Sequence, residues 1–131
     1  MKQIVQIDEQ LKSSILELES ACEQICLRLT EKYRKYFSSL SLHLTMEFVR
    51  QRKGRRATKD ETFKAPYESY IEIGFESESV YYANAYIPIW KCKDDLFQLI
   101  GYITECQISE ISCQAERILL DILKEEKSKR K

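Results

Sequence analysis

The chain has 131 residues, 44% hydrophobic and 32% charged, with 3 Gly and 2 Pro. It is the size of one domain, too apolar for disorder and too poor in breakers for a many-turned sandwich. Its 21 basic and 21 acidic residues cancel, which excludes an overall field steering it to nucleic acid or an anionic membrane and leaves only local attraction.

From Ile4 to Phe37 there is neither Gly nor Pro, and apolar residues recur at Ile4, Ile7, Leu11, Ile15, Leu18, Cys22, Ile25, Leu29, Tyr33 and Tyr36. That spacing predicts a long N-terminal helix over residues 1–38. Between Ile15, Leu18, Cys22, Ile25 and Leu29 the steps alternate between three and four, as in a heptad seam. At 1.5 Å per residue such a helix is about 50 Å long, more than a small sheet covers, so its excess should meet another helix.

The period then changes to two. Leu42, Leu44, Met46 and Phe48 alternate with His43, Thr45, Glu47 and Val49, and Ile71, Ile73 and Phe75 repeat the pattern. A third run, rich in Tyr and Ile, extends from Val80 to Ile89, with the polar turn Glu76–Ser79 making an antiparallel hairpin. These predict a sheet over 42–90, interrupted by a mobile basic loop at 51–66.

Asp94 or Asp95 can cap a second helix over 94–125, in which Leu96, Ile100 and Ile103 have helical spacing and Gly101 is a soft point. Its later part, Ile108, Ile111, Ala115, Ile118 and Ile122, forms a second seam, followed by a basic tail at 126–131. The expected fold is therefore α+β in one domain, 1–131: two long helices flanking a three-stranded, or at most four-stranded, antiparallel sheet in the order α-β-β-β-α. The two seams are expected to drive a coiled-coil-like self-association through Ile15, Leu18, Cys22, Ile25, Leu29, Ile108, Ile111, Ile118 and Ile122, because three strands cannot bury both stripes. In element order alone, this arrangement resembles the dimeric RWD-type domains of kinetochore proteins.

The most distinctive segment for function is the run from Arg50 to Lys59. It holds Arg50, Arg52, Lys53, Arg55, Arg56 and Lys59 with no acid among them. Guanidinium forks in a loop can grip phosphate oxygens; the alternative is a solvated hairpin tip that keeps a sheet edge unpaired. Arg55-Arg56-Ala57-Thr58 also resembles the pattern read by basic-directed protein kinases, and phosphate on Thr58 would cancel part of that charge.

Tyrosines are the second constellation. One face of the third strand carries Val80, Tyr82 and Tyr86, joined by Tyr70 and Val49, and such a face suits partner recognition as well as it suits ordinary packing. Of the cysteines (Cys22, Cys26, Cys92, Cys106, Cys113), none forms the tight Cys-x2-Cys pair that zinc prefers, so no metal or other cofactor is expected. His43, with Thr45 and Glu47 on its own strand face, is the one grouping that could shuttle a proton.

The function expected is a non-catalytic, self-associating interaction module, an adaptor or inhibitor. Its expected partners are a second copy of itself and another protein, met through the basic loop and the tyrosine face. The alternatives are a nucleic-acid or nucleotide-binding module using the same loop, and a small enzyme with His43 as acid and base. An odd number of cysteines on a chain able to build a core suits free thiols. With no leader and no apolar run near the roughly 20 residues that span a bilayer, the expected setting is cytoplasmic or nuclear, without membrane contact.

Overall fold

A computed structural model of the protein describes residues 1–130; Lys131, the last residue of the expected basic tail, lies outside the described residues. The chain begins with a short strand, β1 (Lys2–Ile4), and not with helix. Helix α1 spans Glu9–Ser38 and starts where the Asp8 carboxylate accepts the Leu11 amide at 2.8 Å. An acid at the cap followed by Glu9 satisfies orphan amides and complements the helix dipole, which Ile4 could not do. The residues before the cap are thereby left to pair as a strand.

Strand β2 (His43–Arg52) turns tightly into the two-residue β3 (Arg55–Arg56), and a single 3-10 turn at Lys59–Glu61 leads to β4 (Tyr67–Ser77). β5 is long, Val80–Asp95, and β6 covers Gln98–Ile103. Helix α2 spans Ile108–Ser128, opened by a capping box between Gln107 and Glu110. The sheet has six strands in the order β1-β6-β5-β4-β2-β3, every neighbouring pair antiparallel.

This corrects the expected three or four strands, and the largest error is at 94–106. Asp94 and Asp95 end β5 and do not cap a helix; a hairpin follows, with Asp95 paired to Gln98 and Trp90 to Ile103. Leu96 and Ile100 stand four apart, a spacing that a strand satisfies as well as a helix does. Gly101 is the clearer sign. A Cβ there would fall inside the Trp90 indole, so the position serves a close approach between strands, and what looked like a soft point in a helix is a packing site.

Both helices lie on one face of the sheet. Arg50 on β2 reaches Glu19 and Glu23 of α1, and Tyr67 on β4 also reaches Glu19, which identifies the covered face. Leu44, Met46 and Phe48 share that face with Ile71, Ile73 and Phe75 through the register of the two strands. α2 adds Ile111, Ala115, Leu119, Ile122 and Leu123 to the same core cluster, whose largest fully buried side chains are Trp90, Phe37 and Ile15. Between the helices, Glu116 accepts from Lys32 Nζ and Tyr33 OH, both at 2.6 Å.

The expected coiled-coil seams are spent inside this core. Ile15, Cys22, Ile25, Leu29, Ile111 and Ile122 are buried, Leu18 and Ile118 are half-buried against the cluster, and Ile108 is exposed. A six-stranded sheet offers more apolar surface than three strands would, so the surplus stripe that implied helix pairing between copies does not exist. The stripe also runs differently from the heptad reading: Glu19, not Leu18, is the fully buried residue between Ile15 and Cys22.

Candidate functional site

Glu19 shows how the basic segment is held. Its carboxylate accepts from Tyr67 OH at 2.7 Å and faces Arg50 Nε at 3.4 Å, while Arg50 Nη2 donates to Glu23 at 2.7 Å. Burial works against the Arg50 charge, but Glu23 and Glu19 outweigh it and raise the guanidinium pKa. Burial, reinforced by Glu19, likewise raises the Tyr67 hydroxyl pKa. Buried Thr62 completes the anchor, its carbonyl accepting from Trp90 Nε1 at 2.9 Å. The 51–66 segment is therefore packed onto α1 and β5 and is no free loop.

The other arginines of this segment are also engaged. Arg52 donates to the carbonyls of Lys64 and Ala65 at 2.9 and 3.2 Å. Arg55 pairs with Glu61 at 2.8 Å, and Arg56 with Glu47 at 2.9 Å. Arg55 together with the Thr58 amide holds the Glu61 carboxyl down at about 2. Lys53 and Lys59 stay exposed. A cleft of about 280 Å³ opens where β4 begins, and it collects Arg52 and Lys53 with Lys91 and Lys93 of β5, two lysines the sequence reading did not single out. Both of those stand over the Tyr102 ring, at 5.6 and 5.7 Å from its centre.

The face of the sheet opposite the helices is open, and the strand register sets its pattern. Across β5, β4 and β2 the rows read Lys91-Glu68-Gln51, Pro88-Tyr70-Val49, Tyr86-Glu72-Glu47, Ala83-Gly74-Thr45 and Tyr81-Glu76-His43. Tyr70 and Tyr86 meet edge to face with ring centres 5.5 Å apart. Tyr81 lies over Gly74, where its hydroxyl would come within 2.6 Å of an added Cβ, so a residue larger than glycine would displace the ring. Tyr86 stands directly across from Glu72, and Tyr81 lies nearby over Gly74. Burial and the charge of Glu72 push Tyr81 up to about 12, and the Glu72 carboxylate across the strands raises Tyr86.

Acids line the central strand. Glu72 stands directly opposite Glu47, a repulsive pairing that Arg56 relieves by ion-pairing with Glu47. Among the described residues, Glu68, Glu72 and Glu76 have no cationic partner. The result is an uncovered acidic and aromatic surface.

Tyr82 does not belong to it, contrary to the expectation that grouped it with Tyr86. The register shifts between Ile73 and Gly74, leaving Asn84 as an extra residue on β5. Such a bulge reverses the phase, so Tyr82 and Tyr86 fall on opposite faces although they are four apart. Tyr82 stacks on Phe75 on the helix side, ring centres 5.5 Å apart. Tyr81, which the sequence reading set aside, takes its place on the open face.

His43 is exposed at the margin of this face, opposite Glu76. The thiols of Cys22 and Cys26 are pushed up to about 12, chiefly by burial, and Cys92 to about 11. Cys106 is partly exposed and Cys113 exposed. Among the described residues no group of three or more His, Cys, Asp or Glu is placed to hold a metal ion, and no helix is long and apolar enough to cross a membrane.

The chain matches no family model, no curated protein and no solved structure with which it was compared. The likeness in element order to RWD-type domains therefore carries no functional argument.

Proposed function

We propose that the protein is a non-catalytic interaction module whose open sheet face binds a cationic segment of another protein, as an adaptor or inhibitor would. The observation that carries this reading is the placement of Tyr86 directly across from Glu72, with Tyr81 nearby over Gly74, around a carboxylate without a salt-bridge partner among the described residues. An arginine laid across this face would fork onto Glu72 and stack on a tyrosine ring, gaining a charge-assisted hydrogen bond and a cation–π contact together. Glu68 and Glu76 lie on the same side of the same strand and extend the match to an extended Arg- or Lys-bearing segment. The free cysteines Cys22, Cys26, Cys92, Cys106 and Cys113 fit a reducing setting, cytoplasmic or nuclear.

The test is fluorescence anisotropy with a labelled peptide alternating arginine and glycine. Wild type should bind it with an affinity that falls as salt rises, and Glu72→Gln and Tyr86→Ala should each weaken binding about tenfold, the value of one charge-assisted contact. Absence of binding by wild type, or variants that bind as tightly as wild type, contradicts the reading.

A second reading has one observation in its favour, the cleft that gathers Arg52, Lys53, Lys91 and Lys93. There a phosphate-bearing ligand, nucleic acid or nucleotide, replaces the peptide. Oligonucleotide binding lost on Lys53→Ser with Lys91→Ser, and indifferent to Glu72→Gln, would favour it over the first.

A further inference from the structure

The β5–β6 hairpin ends on Leu96 and Phe97, exposed to 89% and 109%, more than any other large hydrophobic residue of the chain. Neither belongs to the core cluster or packs against it. Both have positive φ, 50° and 69°, in a two-residue turn closed by the Asp95 and Gln98 pair. That is a type I′ hairpin turn, for which Asn-Gly is the favoured pair and bulky residues are among the worst.

The other two hairpins of the sheet have the same positive φ at both turn positions and fill them with polar or small residues, Lys53-Gly54 and Glu78-Ser79. At the Leu96–Phe97 tip the chain accepts both a strained backbone and apolar exposure, with no contact inside the fold to offset either. Immediately behind the tip stand two acids, Asp94 and Asp95, both exposed.

The same molecule carries a surface that complements this knob. Between α1 and α2 lies a groove of about 430 Å³ floored by Tyr33, Tyr36, Leu120 and Leu123. Its rim is cationic, formed by Lys32, Lys124 and Lys127. Tyr36 and Leu120 are about half exposed in it, an apolar pair with nothing over it in the single chain.

We propose that Leu96 and Phe97 of one molecule dock in the α1–α2 groove of a second copy, with Asp94 and Asp95 against the lysine rim. Apolar tip meets apolar floor, and acid meets base around it. Knob and groove are different surfaces, so the contact is head to tail and propagates into a ring or a chain of molecules. It differs from pairing of the helical seams, which stay buried in each copy. An anionic membrane is a poorer occupant for the tip, because the two aspartates would be driven against the headgroups. The proposal does not depend on the peptide-binding reading of the open face.

The test replaces the turn with the pair it favours, Leu96→Asn with Phe97→Gly. A merely structural tip would gain from this, so the thermal midpoint should rise while the knob is lost. Sedimentation across a micromolar to millimolar series should show wild type growing beyond the monomer and this variant weakened at least about tenfold, as for loss of a central anchor. Lys124→Glu with Lys127→Glu should weaken assembly from the groove side, and Asp94→Lys with Asp95→Lys added to it should restore it.

Mixing the knob variant with the groove variant should give a dimer that neither forms alone, since one intact knob and one intact groove remain. Wild type that stays monomeric throughout, a knob variant that assembles like wild type, or a mixture that yields no dimer overturns the proposal. So does loss of binding to phosphatidylserine vesicles in the knob variant when wild type is monomeric in solution, which would assign the tip to a membrane.

Discussion

The two faces of the sheet use the same residue types for opposite ends. On the covered side, Tyr67 gives its hydroxyl to a buried Glu19, so aromatic and acid are closed into the fold, while Tyr82 stacks on Phe75 at the margin and stays half exposed. On the open side Tyr86 stands across from Glu72 and Tyr81 lies nearby over Gly74, with no helix over them and no salt bridge to Glu72 among the described residues. A carboxylate among tyrosines is an anchor where Arg50 answers it and a vacancy for a partner where nothing does. Cover and charge pairing, and not composition, decide which.

The largest effect should come from breaking the anchored side. Glu19→Ala leaves Tyr67 buried without its acceptor and Arg50 with Glu23 alone, and should destabilise by ~3–5 kcal/mol in urea unfolding, in the range found when one partner of a buried ion pair is removed. Glu72→Gln, its counterpart on the open face, should leave the unfolding midpoint nearly unchanged. Equal losses from the two would erase the distinction between the faces.

The tyrosine pair sharpens the comparison. Tyr82→Ala should cost stability of ~0.5–1.5 kcal/mol for the lost stacking on Phe75 and leave peptide binding intact. Tyr86→Ala should do the reverse. If both weaken binding, the bulge at Asn84 does not separate the two rings as described.

Thiol reactivity distinguishes inside from outside without any substitution. At neutral pH a thiol reagent should modify Cys113 quickly and Cys106 more slowly, while Cys22, Cys26 and Cys92, buried and with raised pKa, react only on unfolding. Rapid modification of all five would show the core to be open.

The smallest effect belongs to the exposed rim. The Glu61 carboxyl is held below its usual value of 4.5, at about 2, by Arg55 and the Thr58 amide. A depressed folded pKa means that its contribution is fully present above about 4.5 and is lost as pH falls towards 2. Glu61→Gln should flatten the stability profile slightly within that window and nowhere else. No change in profile would mean that the pair is screened by solvent.

Parts of this were legible in the sequence, for physical reasons. The unbroken alternation of Leu44, Met46 and Phe48, and of Ile71, Ile73 and Phe75, identifies two strands and their covered side, because period two admits no other reading there. β5 defeats the same logic. Its register shifts near Asn84 and again between Ser69 and Tyr70 of its partner, so the phase of the alternation changes along the strand.

The β5–β6 hairpin was hidden because Leu-Phe is not turn chemistry and because a four-residue spacing serves both periods. Glu19 was readable in principle: an acid stands on the helical stripe four residues after Ile15 and three before Cys22, and a buried carboxylate implies a buried cation. The heptad template substituted Leu18 and passed over it. The pairing of Arg55 with Glu61 and of Arg56 with Glu47 was not accessible, since charge counted along the chain does not reveal which acid folds back on which base.

Nuclear magnetic resonance mapping of the arginine–glycine peptide on isotope-labelled protein tests the central claim most directly. The account predicts that amide shifts concentrate at Thr45, Glu47, Tyr70, Glu72, Tyr81 and Tyr86, with α1 and α2 unmoved. Shifts concentrated on the helices, or around Lys53, Lys91 and Lys93, would contradict it.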